Sequence, residues 1–384
     1  MATKKHSVTA ETNAKEIVTS FVESLNNEDF KTAKTYVSDN MTFVGVLGSR
    51  NGAEAYFKDM KKMKLKYEIK KVLFVVSLFA VILLSCSKDE IGNFNVAKES
   101  YALPGDTLFP EGIVYNSKTG NFYTGSVTNG DIIQVNVVSG ETKLLASGTA
   151  HNRKAALGMK IDQMNRLWVC GGEDNKIQVL DLDGKLIKSW DTNALFGSGF
   201  INDCIIDNTH IYFTDSRVRK IYRTSITESQ PGNLEEWLTF TDAQITYAAT
   251  GTNANGIVST PDNKYLIIVI SSSGKLYRID KATKAITEIV LNTPVTSGDG
   301  LYLDGNTLYV TRTATNLIFP VVLNADYTQG TVGNGFGTNL LFNTTIDKAG
   351  DYFLVVNGQL NKRGNATTLP SPVLPFSVSR VAIP

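Results

Sequence analysis

The sequence predicts an all-β repeat fold over its last three quarters, and three observations carry that expectation. A short motif recurs as PEGIVYN at Glu111, INDCIID at Asn202, ANGIVST at Asn255 and GDGLYLD at Asp299. Two further copies, LGMKID from Leu157 and FNTTID from Phe342, keep the rhythm without the polar head, so six heads stand 46, 45, 53, 44 and 43 residues apart. Between the heads, short apolar runs alternate with turn residues such as Lys118-Thr119-Gly120 and Ser139-Gly140. A period in the forties with strand-like content is the signature of a propeller or similar repeat array, and six heads predict a β-propeller of six blades.

Residues 1–60 read differently. Ile17, Phe21, Val22 and Leu25 share one helical face, Asn27-Glu28-Asp29 interrupts it, and a second amphipathic piece runs from Phe30 to Tyr36. A strand-like MTFVGVLG from Met41 and a helical segment from Ala53 to Met60 follow. This run resembles the N-terminal half of the SnoaL-like, nuclear-transport-factor-like fold, a cone of curved sheet and three helices. The resemblance ends where the remaining strands should begin. Half a cone cannot close its core, so a partial α+β fragment without a working pocket is expected.

Residues 61–86 carry a targeting signal instead. Lys61, Lys62, Lys64, Lys66, Lys70 and Lys71 precede Val72 to Leu84, a run that is apolar except for Ser77. A membrane span needs about 20 such residues, whereas this length suits a signal-peptide core. The ending Leu83-Leu84-Ser85-Cys86 resembles the lipobox of bacterial lipoproteins, which implies lipidation of Cys86 after cleavage. The expected location is the cell envelope, anchored in the membrane and facing the periplasm or the cell surface. Two readings account for the sixty residues upstream. Either Met60 or Met63 begins the lipoprotein and residues 1–59 are joined to it, or the apolar run is an uncleaved anchor. The first is preferred, because fold and signal each look complete only when separated; the lysines place the preceding side in the cytoplasm in both.

A polar tether over 87–98 leads to the propeller at 99–384. Its first blade reads as Glu111–Tyr115, Asn121–Ser126, Asp131–Val137 and Glu141–Ala146, and the others repeat the scheme. Val96 to Leu103 is placed to supply the outer strand of the last blade, which would close the ring and leave no free sheet edge. With 38 basic and 37 acidic residues the chain makes no case for a nucleic-acid partner.

The geometry of a propeller gives the motif its chemistry. The first strand of each blade lines the axis, so equivalent residues at its start converge from every blade. Glu111, Asn202, Asn255 and Asp299 would then bring two carboxylates and two amide oxygens together, which calls for a cation. Oxygen-only ligands suit Ca²⁺ better than Mg²⁺, with other divalent cations open, and the absence of Cys and His among the heads argues against zinc.

These residues resemble the metal ligands of the senescence-marker-protein/gluconolactonase group and the related paraoxonase and diisopropylfluorophosphatase propellers. Members carry a Glu in an E-G segment, Asn in N-D and N-G segments and an Asp in a D-G segment, in the order Glu111, Asn202, Asn255, Asp299. The resemblance spans roughly residues 100–384 and implies a calcium-dependent hydrolase of lactone or ester-like small molecules. Asp299 would then be base or nucleophile as well as ligand. His151, in the loop leading into the second blade, is the other catalytic candidate. Where gluconolactonases have an Arg-x-Asn-Asp-Gly pattern contacting the sugar, this chain has Ala155-Ala156-Leu157-Gly158, so a sugar lactone does not follow. The alternative is a non-catalytic, calcium-stabilised binding or scaffold module. Taken singly, Asn255-Gly256 and Asp299-Gly300 also fit plain turns, and Asp203 fits either a turn or an orienting role. Asp162, Asp207, Asp304 and Asp347 fit turn caps; Cys170 and Cys204 fit buried free thiols.

Overall fold

The computed structural model describes residues 19–37, 42–45, 48–51, 57–58, 98–364 and 368–384. The chain divides into two compact units, 1–93 and 94–384. The Val72 to Leu84 run, the lipobox at Cys86 and nearly all of the 87–98 tether lie outside the described residues. Among the described residues no helix is long and apolar enough to cross a membrane.

In the first unit a helix through 19–26 ends at Glu28, whose backbone is left-handed, and Asp29 caps the next helix, Phe30–Lys34, by accepting from Thr32 N at 3.1 Å. Leu25, Ala33 and Phe57 are buried, and the Phe57 ring meets Phe21 and Phe30 edge-on. The expected strand after Met41 is a hairpin, Thr42–Gly45 against Gly48–Asn51.

The second unit is a propeller-like ring of antiparallel meanders. The first meander is Pro110–Asn116, Asn121–Ser126, Ile132–Asn136 and Thr142–Ala146; the next is Met159–Ile161, Leu167–Cys170, Lys176–Leu180 and Leu186–Asp191. Then comes Ile201–Ile206, His210–Asp215, Lys220–Ser225 and Glu235–Thr239. An eight-stranded sheet follows. It consists of a meander from Ala254–Ser259 to Ile286–Leu291 and one from Gly298–Asp304 to Gln329–Val332, joined where Val290 and Leu291 run parallel to Gln329 and Gly330. The last sheet holds Asn343–Ala349, Tyr352–Asn357 and Ser377–Ala382, with Ser100–Ala102 as its outer strand. Both ends of the unit thus share one sheet, and Tyr101, buried opposite Val378, donates from its hydroxyl to Val137 O of the first meander at 2.9 Å. The first strands of successive meanders neighbour one another in order, the last against the first, so the ring closes.

Burial explains why strand composition changes outwards. Second strands are covered on both faces and are almost wholly apolar, as in Tyr265–Ile270 with Leu266 to Ile270 all buried. Outer strands such as Ile286–Leu291 show mostly partial burial. Two buried arginines tie meanders together through backbone carbonyls. Arg153 donates to Gly130 O and to Gln178 Oε1, both at 2.8 Å. Arg166 donates to Asp162 Oδ2 at 2.6 Å and to Ile226 O and Glu228 O at 2.8 Å, while Trp168 Nε1 shares Asp162 Oδ2. Asp162 also caps its turn through Met164 N and Arg166 N, and Asp207 does so through Thr209 N and His210 N. Asp347 departs from this pattern, because its Oδ2 accepts from Tyr115 N in the neighbouring first strand.

Candidate metal centre

The heads sit where the first strands bulge. Pairing with the second strand slips between Pro110 and Ile113, Ile201 and Cys204, Ala254 and Ile257, and Gly298 and Leu301. Glu111-Gly112, Asn202-Asp203, Asn255-Gly256 and Asp299-Gly300 therefore drop out of the ladder. A bulge frees a residue from strand alternation and re-aims its side chain. The same slip in the last sheet lies between Asn343 and Ile346, which makes Thr344, rather than Phe342, the residue equivalent to the heads. Phe342 precedes that strand and has a left-handed backbone, φ 50°.

The turn reading of Asn255-Gly256 and Asp299-Gly300 is corrected, because both pairs lie inside strands. Glycine recurs after the head for a packing reason. A Cβ on Gly112 would stand 1.9 Å from Leu157 O, one on Gly158 2.3 Å from Asp203 Oδ1, and one on Gly256 2.3 Å from Asp299 O. At these three positions the neighbouring first strand approaches too closely to admit a side chain, whereas Asp203 has room at the same position in the third meander because Gly158 faces it.

Glu111, Asn202, Asn255 and Asp299 are all buried, with exposures of 5, 4, 5 and 7%. Glu111 Oε2, Asn202 Oδ1 and Asp299 Oδ1 are buried without a hydrogen-bond partner, although the Asn202 amide is fixed by donating from Nδ2 to Ser216 Oγ at 2.8 Å. Each such orphan acceptor costs about 1 to 3 kcal/mol. Burial, then Asp299 and then Asp203, pushes the Glu111 carboxyl well above the ordinary carboxylate range. Burial first and Asp203 second push Asp299 to about 7, opposed by a hydrogen bond with Asn255. Glu111, Asp203, Asp299 and Asn255 therefore form one mutually interacting group of buried oxygens. Among the described residues no group of three or more His, Cys, Asp and Glu is arranged to hold a metal ion. The head set has only two residues of those types and depends on two amides. Three buried, unpartnered oxygens from three different first strands, two of them on carboxylates that repel one another, fit a hard cation.

The fold has counterparts among solved structures. The chain is similar to the major allergen Mala s 1 of Malassezia sympodialis, with TM-score 0.54 and 12% identity over 74% of this chain and 96% of that one. It is equally similar to regucalcin of Agrobacterium tumefaciens, described as a calcium-binding protein, with TM-score 0.54, 12% identity and coverage of 74% and 95%. A luciferin-regenerating enzyme gives TM-score 0.52, 13% identity and coverage of 73% and 92%. At such identities the likeness shows the fold alone. No protein-family model matches the sequence, and no curated protein matches it.

His151 is not among the residues drawn to this group. Its Nε2 lies 3.0 Å from Gly184 O, in the turn between the third and fourth strands of its meander. Third strands run parallel to first strands, so that turn lies at the strand ends opposite the heads. The second catalytic candidate is thus occupied elsewhere, and neighbouring Arg153 is a buried tie. Sequence reasoning missed two residues. Lys160, in the first strand after Leu157, is a cation whose pKa burial would lower, but Asp203 and Asp347 outweigh that and hold it up. Its signal was a charge inside an apolar first-strand run. Ser216, which fixes Asn202, follows the second strand and carried no signal.

Proposed function

We propose that residues 99–384 form a six-bladed, calcium-binding propeller of the senescence-marker-protein/gluconolactonase kind that hydrolyses lactone or ester-like small molecules, held at the cell envelope through lipid on Cys86. The observation that carries this reading is the set of three orphaned buried oxygens on Glu111, Asn202 and Asp299. Those three residues with Asn255 would hold the cation, and calcium is the cation such oxygens favour. When bound, the ion supplies electrophilic polarisation of the substrate's carbonyl or phosphoryl oxygen. Asp299, a buried carboxylate with one oxygen left unpartnered, takes the proton of the attacking water. Asn255 holds Asp299 in place, and Ser216 holds the Asn202 amide by its Nδ2, which leaves Oδ1 unpartnered for the cation.

The engagement of His151 with Gly184 favours a second reading, a calcium-stabilised binding module without turnover. The full chain, purified in detergent, distinguishes them with a panel of lactones, aryl esters and organophosphates, with calcium and with chelator. Turnover that chelator abolishes is expected. Chelator-sensitive melting without turnover supports the binding module, and indifference to chelator in both assays refutes the metal centre.

A further inference from the structure

A cleft of about 450 Å³ opens between the loops that lead into the third and fourth meanders. Its floor is Ser216 and Asn253. Ser216 Oγ accepts from Asn202 Nδ2 at 2.8 Å and donates to Ala254 O at 2.5 Å. Asn253 donates to Ser216 O at 3.2 Å and receives Ala248 N at 2.7 Å, and it stands two residues before Asn255. Through Ser216 the cleft touches one of the four heads, Asn202. One wall is apolar and small, Phe200 with Ala248 and Ala249.

Two charged side chains also line the cleft, the cation Arg217 and the anion Glu173. The Arg217 guanidinium carbon lies 6.0 Å from the Phe200 ring centroid, and Nη2 donates to Glu173 Oε1 at 2.8 Å. That ion pair is exposed, with side-chain exposures of 49% and 73%, and an exposed pair holds its partners weakly. The backbone beneath is rigid by contrast. Fully buried Asp215 accepts from Phe200 N at 3.0 Å, Arg217 N at 2.8 Å and Val218 N at 2.9 Å. Tyr247 OH, at the start of the opposite loop, donates to Asp215 O at 2.9 Å. A fixed backbone therefore presents a guanidinium that donates from Nη1 to Gly199 O at 3.4 Å and whose carboxylate partner is easily displaced.

We infer that this cleft is the recognition pocket of the same centre, and that Arg217 binds a carboxylate on the substrate. The substrate class is then an ester or lactone with a short apolar spacer, seated against Phe200 and Ala248, and a terminal carboxylate. A carboxylate matches the planar fork of arginine with two parallel hydrogen bonds, and the Glu173 it displaces, 73% exposed, is left to water. The inference rests on the hydrolase reading for the word substrate, but the pocket's affinity for carboxylate is separable from turnover.

Two esters of equal chain length test it, mono(4-nitrophenyl) glutarate and 4-nitrophenyl valerate, hydrolysed by the full chain in calcium. The ratio of their kcat/KM values should favour the anionic ester by about tenfold to a hundredfold, as a charge-assisted hydrogen bond allows. Arg217→Gln should bring the ratio close to one, Arg217→Lys should restore part of it, and Glu173→Gln should widen it. Raised salt should narrow it. Binding of monomethyl glutarate, followed by NMR, is the second readout and should weaken at least about tenfold in Arg217→Gln. Turnover of both esters with a ratio near one in the parent overturns the pocket and leaves the hydrolase reading standing. Arg217-dependent binding without turnover does the reverse. Absence of both binding and turnover sinks both.

Discussion

Replacing Asp299 by Asn should change stability in opposite directions with and without calcium. In the cation-free molecule, burial and then Asp203 raise Asp299 from 3.8 to about 7. A folded-state pKa above the unfolded one means that the native state holds an extra proton between those two values, so stability falls as pH rises through that window. Three units at about 1.4 kcal/mol each put the loss at about 4 kcal/mol above neutrality. Asparagine has the same shape and no charge, and removes that loss. In chelator at about pH 8 the variant should therefore melt several degrees above the parent, with the gap shrinking towards about pH 5 as the parent's Asp299 takes up its proton. Calcium should reverse the order. At a hundred times its Kd a bound ion stabilises the parent by about 2.7 kcal/mol, and the variant, missing a charged ligand, should gain little. Melts of the full chain in detergent, followed by near-UV circular dichroism across this pH range with chelator or calcium, measure both halves. A variant that melts below the parent in chelator at the higher pH refutes the argument, because Asp299 would then be stabilising the fold without a cation.

Two further outcomes test the frame around the centre. Asp162→Ala leaves Arg166 and the Trp168 indole N–H without their buried acceptor; breaking such a buried pair costs about 3 to 5 kcal/mol. Urea unfolding should show that loss, and a change under about 1 kcal/mol would mean that the arginine's carbonyl contacts suffice. Cys170 and Cys204 are both fully buried, and burial pushes the Cys170 thiol well up. Neither should react with a water-soluble disulfide reagent until denaturant is added, and labelling of either in the native protein would show that the second and third meanders separate.

The repeat was legible because it reports something each first strand must do. The glycine after the head is required by the next strand's backbone, as the contact between a Gly112 Cβ and Leu157 O shows, so the dipeptide recurs wherever the ring closes tightly. The outer strand from Ser100 to Ala102 was legible for a related reason: a ring needs both ends in one sheet, and only one segment before the first meander was free to serve. The sixth head was misplaced by two residues because register in that sheet is set by the bulge between Asn343 and Ile346, and a bulge leaves no mark in an apolar–polar pattern.

The centre's second layer was harder to read, and for a physical reason. Asp203 follows Asn202 in a motif where others have glycine, and Gly158 on the neighbouring strand is what gives its carboxylate room. Lys160 then faces Asp203 and Asp347 from two different strands. These three charges are far apart in sequence, and each alone fits a turn or a solvated face. Their pairing appears only when the first strands of the second, third and last sheets are gathered round one axis. Lys160 supplies one positive charge against Glu111, Asp203, Asp299 and Asp347, which leaves the axis short of positive charge. The shortfall follows from side-chain placement alone, and Glu111 and Asp299 belong both to it and to the orphaned oxygens.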